Sequence, residues 1–246
     1  VELAYEQLLS EGYVEAQPCR GYFVSDVEGL YRLKRSVKTT GEETKKKKQQ
    51  YTYDFTPNGV DLRSFPYNVW RKLSRESLGD DKAELFRLGD PQGEYGLRSA
   101  IGSYLHQARG VNCEPEQIIV GAGNDYLLML LTTIIGTAHK VALENPTYRQ
   151  AYRLFKNLSY EVCTVDMDAK GMSELKKSKA DIAFVMPSHQ YPLGIIMPIK
   201  RRMELLKWAE EEAGRYIIED DYDSEFRYKG KPIPALQGYD VHEKVI

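Results

Sequence analysis

The hydrophobic pattern changes its period along the chain. From Val1 to Leu9 apolar residues recur at helical spacing (Val1, Ala4, Tyr5, Leu8, Leu9), and Gly12 ends the run. "YVEA" and "GYFV" then read as two short strands joined by "QPCR", a hairpin. A helix followed by a small hairpin is the second half of a winged helix, or simply a helix–hairpin corner. From Ser25 to Gln50 the apolar residues thin out, and "KRSVKTTGEETKKKKQQ" predicts a flexible charged linker. Its lysines either touch phosphates without sequence preference or solvate a tether.

After Tyr51 the pattern becomes that of a packed domain. "VDLRSFPYNVWRKLSRESL" predicts a loop leading into an amphipathic helix, and "GLRSAIGSYLHQARG" a helix with Leu97, Ile101, Tyr104 and Leu105 on one face. Strands and helices then alternate. The strands are "QIIVG", "KVALE", "YEVCTVD", "DIAFVMP" and "RYIIED"; the helices between them are "NDYLLMLLTTIIG", "YRQAYRLFKNL", a short "MSELKKS" and "KRRMELLKWAEEEAG". Apolar strands alternating with helices predict an α/β fold, a mainly parallel sheet covered by helices on both faces. The expected organisation is residues 1–26 as part of a winged helix, 27–50 as linker and 51–246 as the α/β domain. The chain begins at Val1 within a helical pattern and ends on "HEKVI", which reads as a strand just beginning. Both ends predict a piece of a longer protein.

Composition narrows the function classes. The 246 residues are 42% hydrophobic and 28% charged, enough to bury a core and unlike a disordered chain. The net charge is -2, so affinity for nucleic acid has to come from a local patch. Three scattered cysteines, Cys19, Cys113 and Cys163, lack metal-ligand spacing and predict reduced thiols in a cytoplasmic protein. The longest apolar stretch, "YLLMLLTTIIG", is too short to span a bilayer.

In open α/β sheets ligands bind beyond the carboxyl ends of strands, which selects four places. "VGAGNDYLL" ends a strand on small residues and opens a helix whose exposed N–H groups suit a phosphate, although it is neither a Walker loop nor GxGxxG. In "ENPTYRQAY", Tyr148 follows a strand end and a Pro turn, where its ring can stack on a planar ligand. "MPSHQYPLGIIMP" sets His189, Gln190 and Tyr191 in a loop bounded by prolines. In "IIEDDYDSEF", Asp220 stands where the last strand leaves the sheet. A carboxylate there can hold a protonated ring nitrogen and keep the ring an electron sink, as pyridoxal phosphate chemistry requires. The bland reading is that Glu219, Asp220, Asp221 and Asp223 solvate a loop.

Taken in order, these segments resemble the large domain of fold-type I pyridoxal-phosphate enzymes, the aspartate aminotransferase superfamily, from about Tyr53 to Ile246. "GDPQGEYGLRSAIGSYLHQARGV" is similar to the segment with a Tyr-Gly and Leu-Arg pair before the cofactor loop, and "GAGNDYL" to the phosphate-cradle turn. "SHQYPLG" stands where aminotransferases carry Asn-Pro-x-Gly, and "EDDYDSEF" resembles the strand end that supplies the pyridine-nitrogen aspartate. With the winged-helix half and lysine-rich linker, the whole resembles the MocR subgroup of GntR transcription regulators, which fuse a DNA-binding winged helix to an aminotransferase-like domain.

The resemblance implies that pyridoxal 5′-phosphate is the cofactor. Asp220 would pair with its ring nitrogen, Tyr222 would hydrogen-bond the ring hydroxyl and Tyr148 would stack on the ring. Ala122, Gly123 and Asn124 would meet the phosphate, with His189, Gln190 and Tyr191 replacing the usual Asn-bearing loop. Arg20 and Gly21 would form the wing that touches DNA backbone or minor groove. One acid of the run would then be functional and the rest surface. The family's Schiff-base lysine sits in a Ser-Lys pair after the next strand; Lys229, Lys231 and Lys244 do not match that context. It is expected beyond Ile246, so this stretch by itself would not attach the cofactor covalently.

Two functions follow. One is a regulator binding DNA through a complete winged helix and sensing the cofactor or an amino-acid-like effector, as a homodimer. The other is a working pyridoxal-phosphate-dependent aminotransferase. A third, blander possibility is a binding module that keeps the fold without the chemistry.

Overall fold

The computed structural model describes residues 1–26, 52–53, 61–79, 82–226 and 233–246. The expected linker, 27–50, lies outside them. The chain divides into two compact units, Val1–Lys72 and Leu73–Ile246.

In the first unit helix α1 (Glu2–Ser10) precedes an antiparallel hairpin of β1 (Val14–Gln17) and β2 (Gly21–Val24). The turn needs left-handed backbone, at Cys19 (φ 60°) and Gly21 (φ 99°), and glycine adopts that region without strain. The rings of Tyr5 and Tyr22 meet at 4.9 Å and pin helix to hairpin. The helix–hairpin order read from the sequence is therefore present.

The second unit is built on a five-stranded sheet in the order β5-β4-β3-β6-β7. Helix α2 (Tyr67–Ser77) runs across the boundary of the two units; α3 (Tyr95–Arg109) comes before the sheet in the chain, then α4 (Asn124–Ile135) and β3 (Lys140–Asn145). Next are α5 (Arg149–Asn157), β4 (Glu161–Asp168), β5 (Gly171–Met172), β6 (Ile182–Val185), α6 (Ile199–Glu210) and β7 (Tyr216–Glu219). Strands β4, β3, β6 and β7 are mutually parallel, and only β5 is antiparallel. Side chains of a strand alternate between faces. Val141, Leu143, Ile182 and Phe184 pack with Leu128 of α4 and Phe155 of α5. Ala142, Ala183, Val185 and Ile217 pack on the other face with Leu205, Leu206 and Trp208 of α6. Burial on both faces explains why β3 and β6 read as unbroken apolar runs.

Three expected elements differ. "QIIVG" is extended but joins no ladder among the described residues: its Val120 N–H goes to the carbonyl of Gln92 at 2.8 Å, in a loop rather than a strand. "MSELKKS" is not a helix but the two-residue β5 followed by a 3₁₀ turn at Leu175–Ser178. Gly171, at φ 104°, reverses the chain onto β4, so Met167 pairs with Met172 before any helical turn can form. The "HEKVI" end forms no strand among the described residues, only a single parallel bridge from Val245 to Ile217 of β7.

Buried arginines brace the sheet's carboxyl edge. Arg202 of α6 is only 1% exposed and donates to the carbonyls of Met197 (3.0 Å), Pro187 (3.0 Å) and Pro234 (2.7 Å). Three satisfied donors offset part of the cost of burying the charge, which still pushes the guanidinium pKa down.

Candidate functional site

After β3 the chain returns to pair on one side with β4; after β6 it turns to the other side, to β7. The sheet thus reverses its winding between β3 and β6. A crevice opens outside the carboxyl ends at such a point, where ligands bind. Here it is a cavity of about 390 Å³ lined by Asn124, Tyr148, Met186, Tyr191, Asp220 and Tyr222. That volume lies within the range of small-molecule sites.

Each strand end supplies part of the lining. Asp220 follows β7, and its N–H donates to Val185 O of β6 at 2.9 Å, which fixes the backbone at the edge of the crevice. Its Oδ2 accepts a long bond, 3.4 Å, from Nδ2 of Asn124 at the start of α4. Burial pushes the Asp220 carboxyl pKa above its ordinary value; Asn124 pulls it down and Asp221 pushes it further up. An acid held this way is stabilised by a cationic partner. Tyr148, at the N-cap of α5, and Tyr191, after β6, meet edge to face at 6.2 Å and 85°. Burial is the first cause raising the phenols of Tyr148 and Tyr222, and Asp220 adds to both.

The acidic run is divided by direction. Side chains of successive residues at a strand end leave on opposite sides. Asp220 faces the cavity, while Asp221 is clasped by Arg109: Nε to Oδ2 at 3.0 Å and Nη2 to Oδ1 at 2.7 Å. The same guanidinium donates to Ser188 Oγ at 2.8 Å and to the carbonyl of Ile233. Glu219 accepts from the N–H groups of Leu236 (2.7 Å) and Gln237 (3.0 Å), and its burial raises its pKa. The expectation that three of the four acids merely coat the surface is corrected: Glu219 and Asp221 are structural anchors. Asp223 alone fits it, exposed in a turn at φ 51°.

The structure brings Asn124, Tyr148, Tyr191, Asp220 and Tyr222 to one cavity. Ala122 and Gly123 sit outside the lining, at the exposed N-terminus of α4, where first-turn N–H groups have no intrahelical partner. The His189 ring stands 6.3 Å from the Tyr222 ring and is not among the lining residues. Gln190 is buried, and its amide is taken up by the loop itself and by Glu144. Arg20 and Gly21 belong to the hairpin turn of the first unit and are exposed there, with the Arg20 guanidinium 5.7 Å from the Phe23 ring. Lys244 is engaged elsewhere, donating to the carbonyl of Ala213 at 2.8 Å; Lys229 and Lys231 lie outside the described residues. Sequence reasoning missed Met186, hidden in an apolar strand end, and Arg109, which reads as an ordinary basic residue at a helix terminus.

With this geometry in view, comparison with known proteins is specific. The uncharacterized HTH-type transcriptional regulator YdeL of Bacillus subtilis is 41% identical over 100% of this chain and 53% of its own length. The HTH-type pyridoxine biosynthesis transcriptional regulator PdxR of Corynebacterium glutamicum is 34% identical over 96% of the chain and 51% of its own. The probable rhizopine catabolism regulatory protein MocR of Rhizobium meliloti is 29% identical over 98% and 52%. The chain therefore spans about half the length of the curated relatives it matches. Among solved structures, the kynurenine aminotransferase of Pyrococcus horikoshii, in complex with PMP and with its substrates and products, superposes with a TM-score of 0.65. It is 26% identical and covers 74% of this chain and 48% of its own. The model of aminotransferase class I and II matches residues 58–241, and the chain belongs to that family.

Proposed function

We propose that the chain is part of a DNA-binding transcription regulator of the MocR subgroup, whose aminotransferase-like domain binds pyridoxal 5′-phosphate and senses the cofactor or an amino-acid-like effector. The observation that carries this reading is the extent of the similarity. YdeL aligns with the whole chain, helix and hairpin included, whereas the kynurenine aminotransferase covers 74% of it. The aminotransferase family model begins only at residue 58, after the helix and hairpin.

The cavity supports the ligand. Asp220 would hold a proton at the ring nitrogen, because a cation there lowers the cost of its buried charge. Tyr148 would stack on the ring and Tyr222 would bond the ring hydroxyl. Ala122, Gly123 and Asn124 would turn the first-turn N–H groups of α4 to the phosphate. Tyr191 would complete the lining beside Tyr148, with His189 near Tyr222 and Gln190 holding the loop. Pyridoxal phosphate, when bound, supplies an electron-withdrawing ring for amino compounds. In the complete protein, a homodimer in the cytoplasm, Arg20 and Gly21 would touch the DNA backbone or minor groove.

The likeness to a catalytic fold, at a TM-score of 0.65, favours a second reading, an active aminotransferase. One experiment separates them. The full-length protein is titrated with pyridoxal phosphate in a gel-retardation assay on DNA from upstream of its own gene. A retarded band whose midpoint moves with the cofactor supports the regulator. Turnover of an amino acid with a 2-oxo acid, with no retarded DNA, overturns it in favour of the enzyme.

A further inference from the structure

Strands β3 and β6 are neighbours, and the loops leaving them carry Tyr148 and Tyr191, two cavity-lining rings that meet edge to face. Gln190 joins these loops. It is 2% exposed; its Nε2 reaches Tyr191 O at 2.8 Å, Pro146 O at 2.9 Å and Glu144 Oε2 at 3.2 Å, and its Oε1 accepts from Leu193 N–H at 3.0 Å. An amide nitrogen has two protons, so the three acceptors compete for them.

Glu144 is the unusual competitor. It is fully buried at the end of β3, and its Oε1 has no hydrogen-bond partner among the described residues. Arg149, Tyr152 and Arg153 of α5 line a cleft with it, and Asp166 of β4 is taken up by Asn145 at 3.0 Å. From the β6 side it meets, among the described residues, neutral donors, the Gln190 amide and the Met186 N–H. Burial dominates and pushes its pKa up to about 7.

We propose that Glu144, acting through Gln190, is a positioning residue for the cavity: its charge state sets how firmly the Tyr148 and Tyr191 loops are held together, and with it the affinity for a planar aromatic ligand. When Glu144 is neutral, the Gln190 protons go to the two loop carbonyls and the tyrosines are held in register. When it is ionised, the carboxylate is the stronger acceptor. It draws the amide away from Pro146 and Tyr191 and loosens the ring pocket. The inference rests on the reading that the cavity takes the pyridine ring.

The test uses 4′-deoxypyridoxine 5′-phosphate, which keeps ring and phosphate but has no aldehyde to react with lysines. Full-length wild type, Glu144→Gln and Gln190→Met are titrated calorimetrically from about pH 5.5 to about 8.5, bracketing the Glu144 midpoint. Wild-type affinity is expected to fall about ten-fold across that range, a typical coupling between two sites. Glu144→Gln, fixed in the neutral form, keeps the low-pH affinity throughout once the titration of the ligand itself, common to all three proteins, is divided out. Gln190→Met loses the same pH dependence, and adding Glu144→Gln to it changes nothing more. Parallel profiles for wild type and Glu144→Gln, or a wild-type profile retained in Gln190→Met, overturn the positioning role while leaving the cavity reading intact. Absence of binding by the wild type at every pH overturns both.

Discussion

Arg109 and Asp221 stand far apart in sequence, yet their side chains are joined through two parallel bonds at 3.0 and 2.7 Å. The pair ties the last turn of α3 to the residue beside Asp220. Arg109 is only 3% exposed, so removing its partner or the guanidinium leaves a buried charge or an empty socket. Arg109→Ala is expected to destabilise the second unit by about 3–5 kcal/mol, the range for breaking a buried pair. A drop in the urea midpoint at unchanged slope checks it. Arg109→Lys recovers only part, because an ammonium cannot span both carboxylate oxygens and Ser188 at once.

The apolar core on the α5 face makes a second prediction. Phe155 is 1% exposed and meets Tyr160 and Phe184 edge to face, at 5.6 and 6.0 Å. Phe155→Ala removes the ring that seals α5 against β3 and β6. The expected loss is about 3–5 kcal/mol, read from chemical denaturation. Phe155→Leu should recover more than half of it, since most of the buried volume returns.

Much of this arrangement is legible in the sequence, for a physical reason. Strands buried on both faces must be apolar throughout, so "KVALE" and "DIAFVMP" declare β3 and β6 without any partner being known. Strand ends in a parallel sheet converge on one edge, so Tyr148, Tyr191 and Asp220 could be placed together from order alone. What the pattern hides is pairing over long separations. "QIIVG" has the composition of a strand, but strand identity needs a ladder, and Val120 finds only Gln92. Arg109, Arg202 and Glu219 look like solvent-facing residues because charge is normally exposed, and only their distant partners make burial affordable.

Glu144 gives stability its own pH dependence. The folded protein holds the Glu144 proton up to about pH 7, while the unfolded chain releases it near 4.5. Between those values the unfolded state carries fewer protons, so this contribution to stability falls as pH rises and levels off above about 7. The total is about 3 kcal/mol, taking each pH unit at about 1.4. Glu144→Gln is expected to abolish that slope and to raise the unfolding free energy at pH 8 relative to wild type. Denaturation at several pH values checks it, and equal slopes in the two proteins would contradict it.

Asp220 separates binding from folding. It is half-buried, its carboxyl is raised chiefly by burial, and among the described residues its side chain accepts a single 3.4 Å bond, from Asn124. A carboxylate in that position costs the free protein stability and gains only when a cation arrives. Asp220→Asn removes the charge and keeps the shape. Stability at neutral pH is therefore expected not to fall, as read from the thermal midpoint. Affinity for pyridoxal phosphate is expected to drop by about 2 kcal/mol, roughly thirty-fold, the scale of a hydrogen bond to a charged group. A structural acid such as Asp221 behaves otherwise: Asp221→Asn is expected to weaken folding first, through Arg109, and affinity only as a consequence. If Asp220→Asn lowers stability and leaves affinity unchanged, Asp220 belongs with the anchors and the ring nitrogen is met by another group.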